Sequence, residues 1–122
     1  MKKASGYHKQ GYNCGEAMIK AFNEDNNTKI PVALGSGMGS GFTVGSVCGA
    51  VGAATVILGY LKGREDKEDL NIARQNTKEL MTMVREKYGS ELCKDLKKNG
   101  ISCEEIVEYT YESLNEILQE NK

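Results

Sequence analysis

Between Ile30 and Leu61 the chain carries no charged residue, and the later part of that stretch, about Val47–Leu61, is apolar almost all round. A helix without a polar face cannot lie on a surface, so other elements must enclose it. Val44–Leu61 is just long enough to be weighed as a membrane span. It holds four glycines, Ser46, Thr55 and Tyr60, and no second stretch of this kind exists. The expectation is therefore a helix buried at the centre of a bundle, with no membrane contact. Its Gly49, Gly52 and Ala53 would let another backbone come close.

The surrounding segments have the periodicity such a bundle needs. Cys14, Ala17, Met18, Ala21 and Phe22 recur on one helical face. Asn13 and Glu16 have capping-box spacing, although Ser5 offers an earlier start. Asn23–Thr28 reads as a polar turn and Pro31–Leu34 as one short helical turn. Asp66–Tyr88 reads as a long amphipathic helix with Leu70, Ala73, Thr77, Leu80, Met81, Val84 and Tyr88 inward, closed by Gly89. A short helix about Ser90–Lys97 carries Leu92, Cys93 and Leu96. The last helix opens at Ser102-Cys103-Glu104-Glu105 and buries Ile106, Val107, Thr110, Tyr111, Leu114, Ile117 and Leu118. Nothing reads as a strand. The expected fold is all-α: a single-domain bundle of about five to six helices over residues 1–122, with a glycine-rich loop (Gly35–Gly45) before the buried central helix.

The four cysteines each follow a residue able to cap a helix. Asn13 precedes Cys14, Ser46 lies two before Cys48, Ser90 three before Cys93, and Ser102 precedes Cys103. Helix N-termini present unpaired N–H groups and a partial positive charge, which favour a thiolate. Thiols so placed fall from about 8.5 into the range of roughly 3.5–7.5. No C-x-x-C is present, which removes thioredoxin-type and zinc-ribbon motifs. If the four helix starts converge, three chemistries are open: a reversible disulfide, an iron–sulfur cluster, or, less favoured, a four-thiolate zinc site. The bland alternative is that the cysteines are small buried residues.

Other features narrow the field. Lys plus Arg number 16 against 17 Asp plus Glu, for a net charge of −1, so no basic surface awaits a nucleic acid. There is no Trp and there are two Phe, too few for a base-stacking platform. Met1-Lys2-Lys3 is followed by a polar stretch and no signal-like apolar run, so a cytoplasmic location is expected. The loop Gly35-Ser36-Gly37-Met38-Gly39-Ser40-Gly41 lacks both G-x-G-x-x-G and Gly-Lys-Ser/Thr, which argues against nucleotide binding. Its Gly37, Gly39 and Gly41 are instead expected to bring N–H groups to a cofactor or to Cys48. His8, the one histidine, sits in a polar stretch and is expected to be solvated; a hydrolase pairing it with Cys48 is the weakest reading. Lys94, Glu105 and Glu116 read as solvated.

Taken in order, these residues resemble a known family. Tyr12-Asn13-Cys14-Gly15-Glu16-Ala17, then Gly37-Met38-Gly39 with Cys48-Gly49-Ala50-Val51-Gly52, then Tyr88-Gly89-Ser90-Glu91-Leu92-Cys93-Lys94-Asp95-Leu96 and Cys103, are similar to the redox-active proteins named for the pattern C_GCAxxG_C_C. The likeness runs from about Gly11 to Leu118. Val47 stands where the family has Gly, and Gly49 where it often has Ala, while Cys48 and Gly52 keep the pattern. The resemblance implies an all-helical domain with a redox role proposed from its cysteines. Related domains fused to multihaem cytochromes are associated with an iron–sulfur cluster.

The expectation is thus an oxidoreductase or electron carrier with an unidentified redox partner, using Cys14, Cys48, Cys93 and Cys103 in catalysis or as metal ligands. Cys93 and Cys103, near neighbours in sequence, are the expected exchanging pair. Cys48 is the expected nucleophile or cluster contact. The competing expectation is a non-catalytic module that forms a homodimer through the small-residue face of the central helix.

Overall fold

The computed structural model describes residues 3–120. They form six α-helices: α1 (Lys3–Lys9), α2 (Cys14–Asn26), α3 (Gly49–Lys62), α4 (Ile72–Tyr88), α5 (Cys93–Lys98) and α6 (Cys103–Glu120). A 3₁₀ turn at Val32–Gly35 and a wide turn at Gly41–Gly45 lie between α2 and α3. Among the described residues there is no strand, only an isolated antiparallel bridge between Val47 and Leu92. The all-α bundle expected from periodicity is what the chain forms.

Helix α3 is the central element, packed on α2, α4 and α6, while α1 lies across α2 and α6. Val51, Ile57 and Leu58 of α3 share one sealed cluster with Met18, Ile19 and Phe22 of α2, Leu80 and Val84 of α4, and Val107, Leu114 and Ile117 of α6. Burying one such side chain contributes about 1.5–3 kcal/mol over leaving it exposed, so a helix apolar on most faces is stable only in this position. No helix among the described residues is long and apolar enough to cross a membrane.

Several boundaries differ from the sequence expectation, each for a local reason. The central helix begins at Gly49, not Val47, because Val47 is drawn into the bridge with Leu92 and the Cys48 N–H donates to the Glu91 carbonyl at 2.9 Å. The fourth helix begins at Ile72, not Asp66. Asp66 turns the chain locally, its side chain accepting from the Glu68 N–H and its carbonyl from the Asp69 N–H. The Arg64 guanidinium holds the carbonyls of Lys67 and Asp69, and Asn71 caps the helix by accepting from the Arg74 N–H. Leu70, expected inward, is consequently 71% exposed.

Helix α2 runs on through the polar Asn23–Asn26 and ends on left-handed Asn27 (φ 54°). The Asn23 side chain then anchors the following segment, accepting from the Ile30 N–H and the Thr28 hydroxyl and donating to the Ile30 carbonyl. At the other end Ser5 belongs to a separate helix, α1, which breaks at Gly11 (φ 116°) before Asn13 starts α2. The small-residue face of α3 is taken up by the chain's own loop. A Cβ at Gly49 would lie 2.3 Å from the Met38 carbonyl oxygen, and one at Gly52 would lie 2.6 Å from the Phe42 ring.

Candidate functional site

All four cysteines stand at helix starts. Cys14, Cys93 and Cys103 are the first residues of α2, α5 and α6, and Cys48 is the N-cap of α3. Two of the four caps expected from sequence are the ones used. Asn13 Oδ1 accepts from the Glu16 N–H at 2.8 Å while Glu16 Oε1 accepts from the Asn13 N–H at 3.0 Å. Ser102 Oγ accepts from the Glu105 N–H at 3.1 Å. The other two differ. Ser46 does not cap α3; its carbonyl accepts from the Cys93 N–H at 2.7 Å. Ser90 Oγ accepts from the Leu92 N–H and donates to Asp95, while Leu92 occupies the cap position of α5.

Two devices bring these starts together. The bridge between Val47 and Leu92, with its bonds from Cys48 to Glu91 and from Cys93 to Ser46, sets Cys48 beside Cys93. The glycine-rich loop docks on α2, where Asn13 Nδ2 donates to the Ser36 carbonyl and Ser36 Oγ donates to Glu16. Gly15 and Gly35 touch so closely that a Cβ on Gly35 would lie 2.6 Å from the Gly15 carbonyl carbon. Cys14, Cys48, Cys93 and Cys103 then line one small cavity of about 20 Å³, with Gly41 and Gly49 and the apolar Leu96, Ile101 and Ile106. That is room for a body the size of one water. All four are free thiols, with Cys103 the least enclosed.

The electrostatics run against the sequence expectation. Burial, joined by neighbouring Cys48 and Cys103, pushes the Cys14 thiol up to about 12. Burial also raises Cys48, even though the backbone N–H groups of Val51 and Ala50 at the start of α3 pull the other way. Desolvation of a full charge outweighs the partial charge of a helix start. These two thiols are therefore protonated near neutral pH unless a cation meets them.

Of the loop glycines, Gly41 reaches the cavity, where a Cβ would lie 2.4 Å from Cys93 Cβ. Gly39 packs on the Asn13 side chain, and Gly37 has open space around it. The chain around Gly41 is left-handed at Ser40, Phe42 and Thr43 as well (φ 53°, 57° and 65°). Such conformations cost about 1–3 kcal/mol each and persist where the surroundings enforce them.

His8 is the residue that the sequence undervalued. It lies in the last turn of α1, half-buried rather than solvated, and one ring nitrogen, Cys14 Sγ and Cys103 Sγ all fall within 4.8 Å of one another. Its Nδ1 is 3.6 Å from Glu104 Oε2. The available signal was the four-residue spacing of Ala4 and His8, which puts the histidine on the packed face of a short helix. Cys103 thus has Cys14 as a near neighbour, a pairing that the short separation from Cys93 did not suggest. Lys94, Glu105 and Glu116 are exposed, as expected.

Comparison with known proteins agrees with the order of these residues. No curated protein and no solved structure gives a significant match. A family model does match, over residues 12–117 and so across most of the chain and all four cysteines: the chain belongs to the family described as "Putative redox-active protein (C_GCAxxG_C_C)".

Proposed function

We propose that this chain is an electron carrier whose Cys14, Cys48, Cys93 and Cys103 together hold an iron–sulfur centre. The observation that carries this reading is the convergence of four sulfurs, from four separate helix starts, on one small cavity. The donor set suits such a group in kind, with four thiols on a mostly apolar cavity that Ser40 and Lys97 also line; the cavity, the size of one water, must widen to admit a cluster. A bound cluster would supply one-electron transfer. The chain's own residues would provide thiolates, direct N–H groups at sulfur and keep water out, all of which tune a potential. Zinc suits four thiolates equally well but has no redox chemistry, so the redox character of the family favours iron.

Iron–sulfide reconstitution under anaerobic conditions tests this. The expected product is coloured, contains iron and acid-labile sulfide, and bleaches on reduction. Each single Cys→Ser variant should lose the colour. A protein that stays colourless and takes up neither iron nor sulfide would refute the proposal.

A second reading is favoured by the closeness of Cys14 and Cys103. In it their two thiols form a disulfide, releasing two protons and passing two electrons to a partner. Burial of Cys14 makes it a slow nucleophile, which places this reading second. Mass spectrometry after mild oxidation should then show a Cys14–Cys103 link and no other.

A further inference from the structure

His8 lies outside the residues matched to the family, and Glu104 faces it from α6. The fold takes trouble to bring His8 in. Helix α1 is laid across α2 and α6, and the Ser5 N–H donates to Glu108 Oε1 at 3.2 Å. After His8 the chain reverses through Gly11, with the Gly11 N–H donating to the His8 carbonyl and the Tyr12 N–H to the Tyr7 carbonyl. This tight reversal sets the ring against Cys14, six positions later. Cys103, from the start of α6, completes the group.

We propose that His8, Cys14 and Cys103 form a mixed nitrogen–sulfur site for a single divalent ion such as zinc, with Glu104 orienting the imidazole. One nitrogen and two sulfurs suit a borderline-soft ion with tetrahedral preference. With Nδ1 3.6 Å from Glu104 Oε2, Nε2 is taken as the ligand atom; a small closure on metal binding would let Nδ1–H donate to that carboxylate, as the other N–H of a ligating histidine does. Metal–sulfur and metal–nitrogen bonds of about 2.3 and 2.0–2.1 Å put tetrahedral ligands roughly 3.6–3.8 Å apart. Atoms within 4.8 Å of one another must therefore draw in by at most about 1 Å. Binding displaces the two thiol protons to solvent and changes no oxidation state. His8 and Cys103 are only half-buried, so the fourth position is open to water. The site shares Cys14 and Cys103 with the proposed cluster, so the two occupants exclude each other, but it does not depend on the cluster.

The test is an anaerobic titration of the reduced, metal-free protein with Co²⁺, read by the charge-transfer and ligand-field absorption of a tetrahedral thiolate complex. One ion per chain is expected. His8→Ala, Cys14→Ser and Cys103→Ser should each weaken binding strongly, and Glu104→Gln by about 10- to 100-fold. Cys48→Ser and Cys93→Ser should weaken it far less than Cys14→Ser does. His8→Cys should restore binding with added sulfur charge transfer, which separates ligand loss from misfolding. Binding insensitive to His8, or as sensitive to Cys48 as to Cys14, would overturn the proposal. Failure of the cluster reading shows instead as absent iron and sulfide uptake while the Co²⁺ titration stands.

Discussion

Three glycines of α3 provide a controlled test of what holds the site together, because the same Gly→Ala change meets three different surroundings in one helix. At Gly59 a Cβ has nothing within 4 Å. Alanine there should raise stability by about 0.5–1 kcal/mol through helix propensity and a less free unfolded chain. At Gly49 the new Cβ would lie 2.3 Å from the Met38 carbonyl oxygen, 3.0 Å from its carbonyl carbon and 3.3 Å from Cys14 Cβ. Both nearest atoms are backbone, so the loop must move bodily. Overpacking of this kind costs about 1–3 kcal/mol, which exceeds the propensity gain and leaves a net loss of about 1–2 kcal/mol. At Gly52 the clash is with the Phe42 ring, at 2.6 Å. Phe42 is 41% exposed and its ring can swing aside, so the net change should be near zero. Urea unfolding with a common m-value measures all three. Because the displaced loop also carries Gly41 to Cys93, Gly49→Ala should lower metal uptake as well. Equal midpoints for Gly49→Ala and Gly59→Ala would refute the idea that loop contact, rather than helix formation, fixes the cysteine cavity.

Asn13→Ala removes the acceptor for the Glu16 N–H and the donor to the Ser36 carbonyl; a loss of about 1–2 kcal/mol is expected by urea unfolding. Thr110 Oγ1 is buried without a hydrogen-bond partner among the described residues, so Thr110→Val should be neutral or stabilising by up to about 1 kcal/mol in thermal unfolding. The metal-free protein should lose stability in alkali. Cys14 is raised from 9.0 to about 12 by burial and its neighbouring thiols, so between those values the unfolded chain has released a proton that the folded chain retains. Stability from that thiol is full below about pH 9 and falls as pH rises toward about 12. Unfolding midpoints measured across that range should fall, and Cys14→Ser should flatten the decline.

Much of the fold was legible because it rests on local rules. The all-apolar segment demanded a central helix, Asn13 with Glu16 and Ser102 with Glu105 marked true helix starts, and Gly89 ended α4 with φ 83°. Local rules failed where one polar side chain outbid the helical pattern. Asp66 and Asn71 captured backbone N–H groups and left Leu70 in solvent, and Asn23 extended its service beyond the helix to Ile30. Of the site, the four cysteines and Gly41 were legible from their pattern. His8 was not, since its neighbours in the site come from the starts of two other helices.

The sequence by itself determined the capped starts before Cys14 and Cys103 and put Cys48 and Cys93 close to two more, because capping and periodicity are short-range. Only the tertiary structure decided that they meet in one cavity, through the bridge at Val47 and Leu92 and the close contacts at Gly15, Gly35, Gly41 and Gly49. It also reversed the expected thiol chemistry. A helix start lowers a thiol by a partial charge known from the sequence, whereas burial raises it by a desolvation that depends on everything packed around it, and at Cys14 and Cys48 burial is the larger effect.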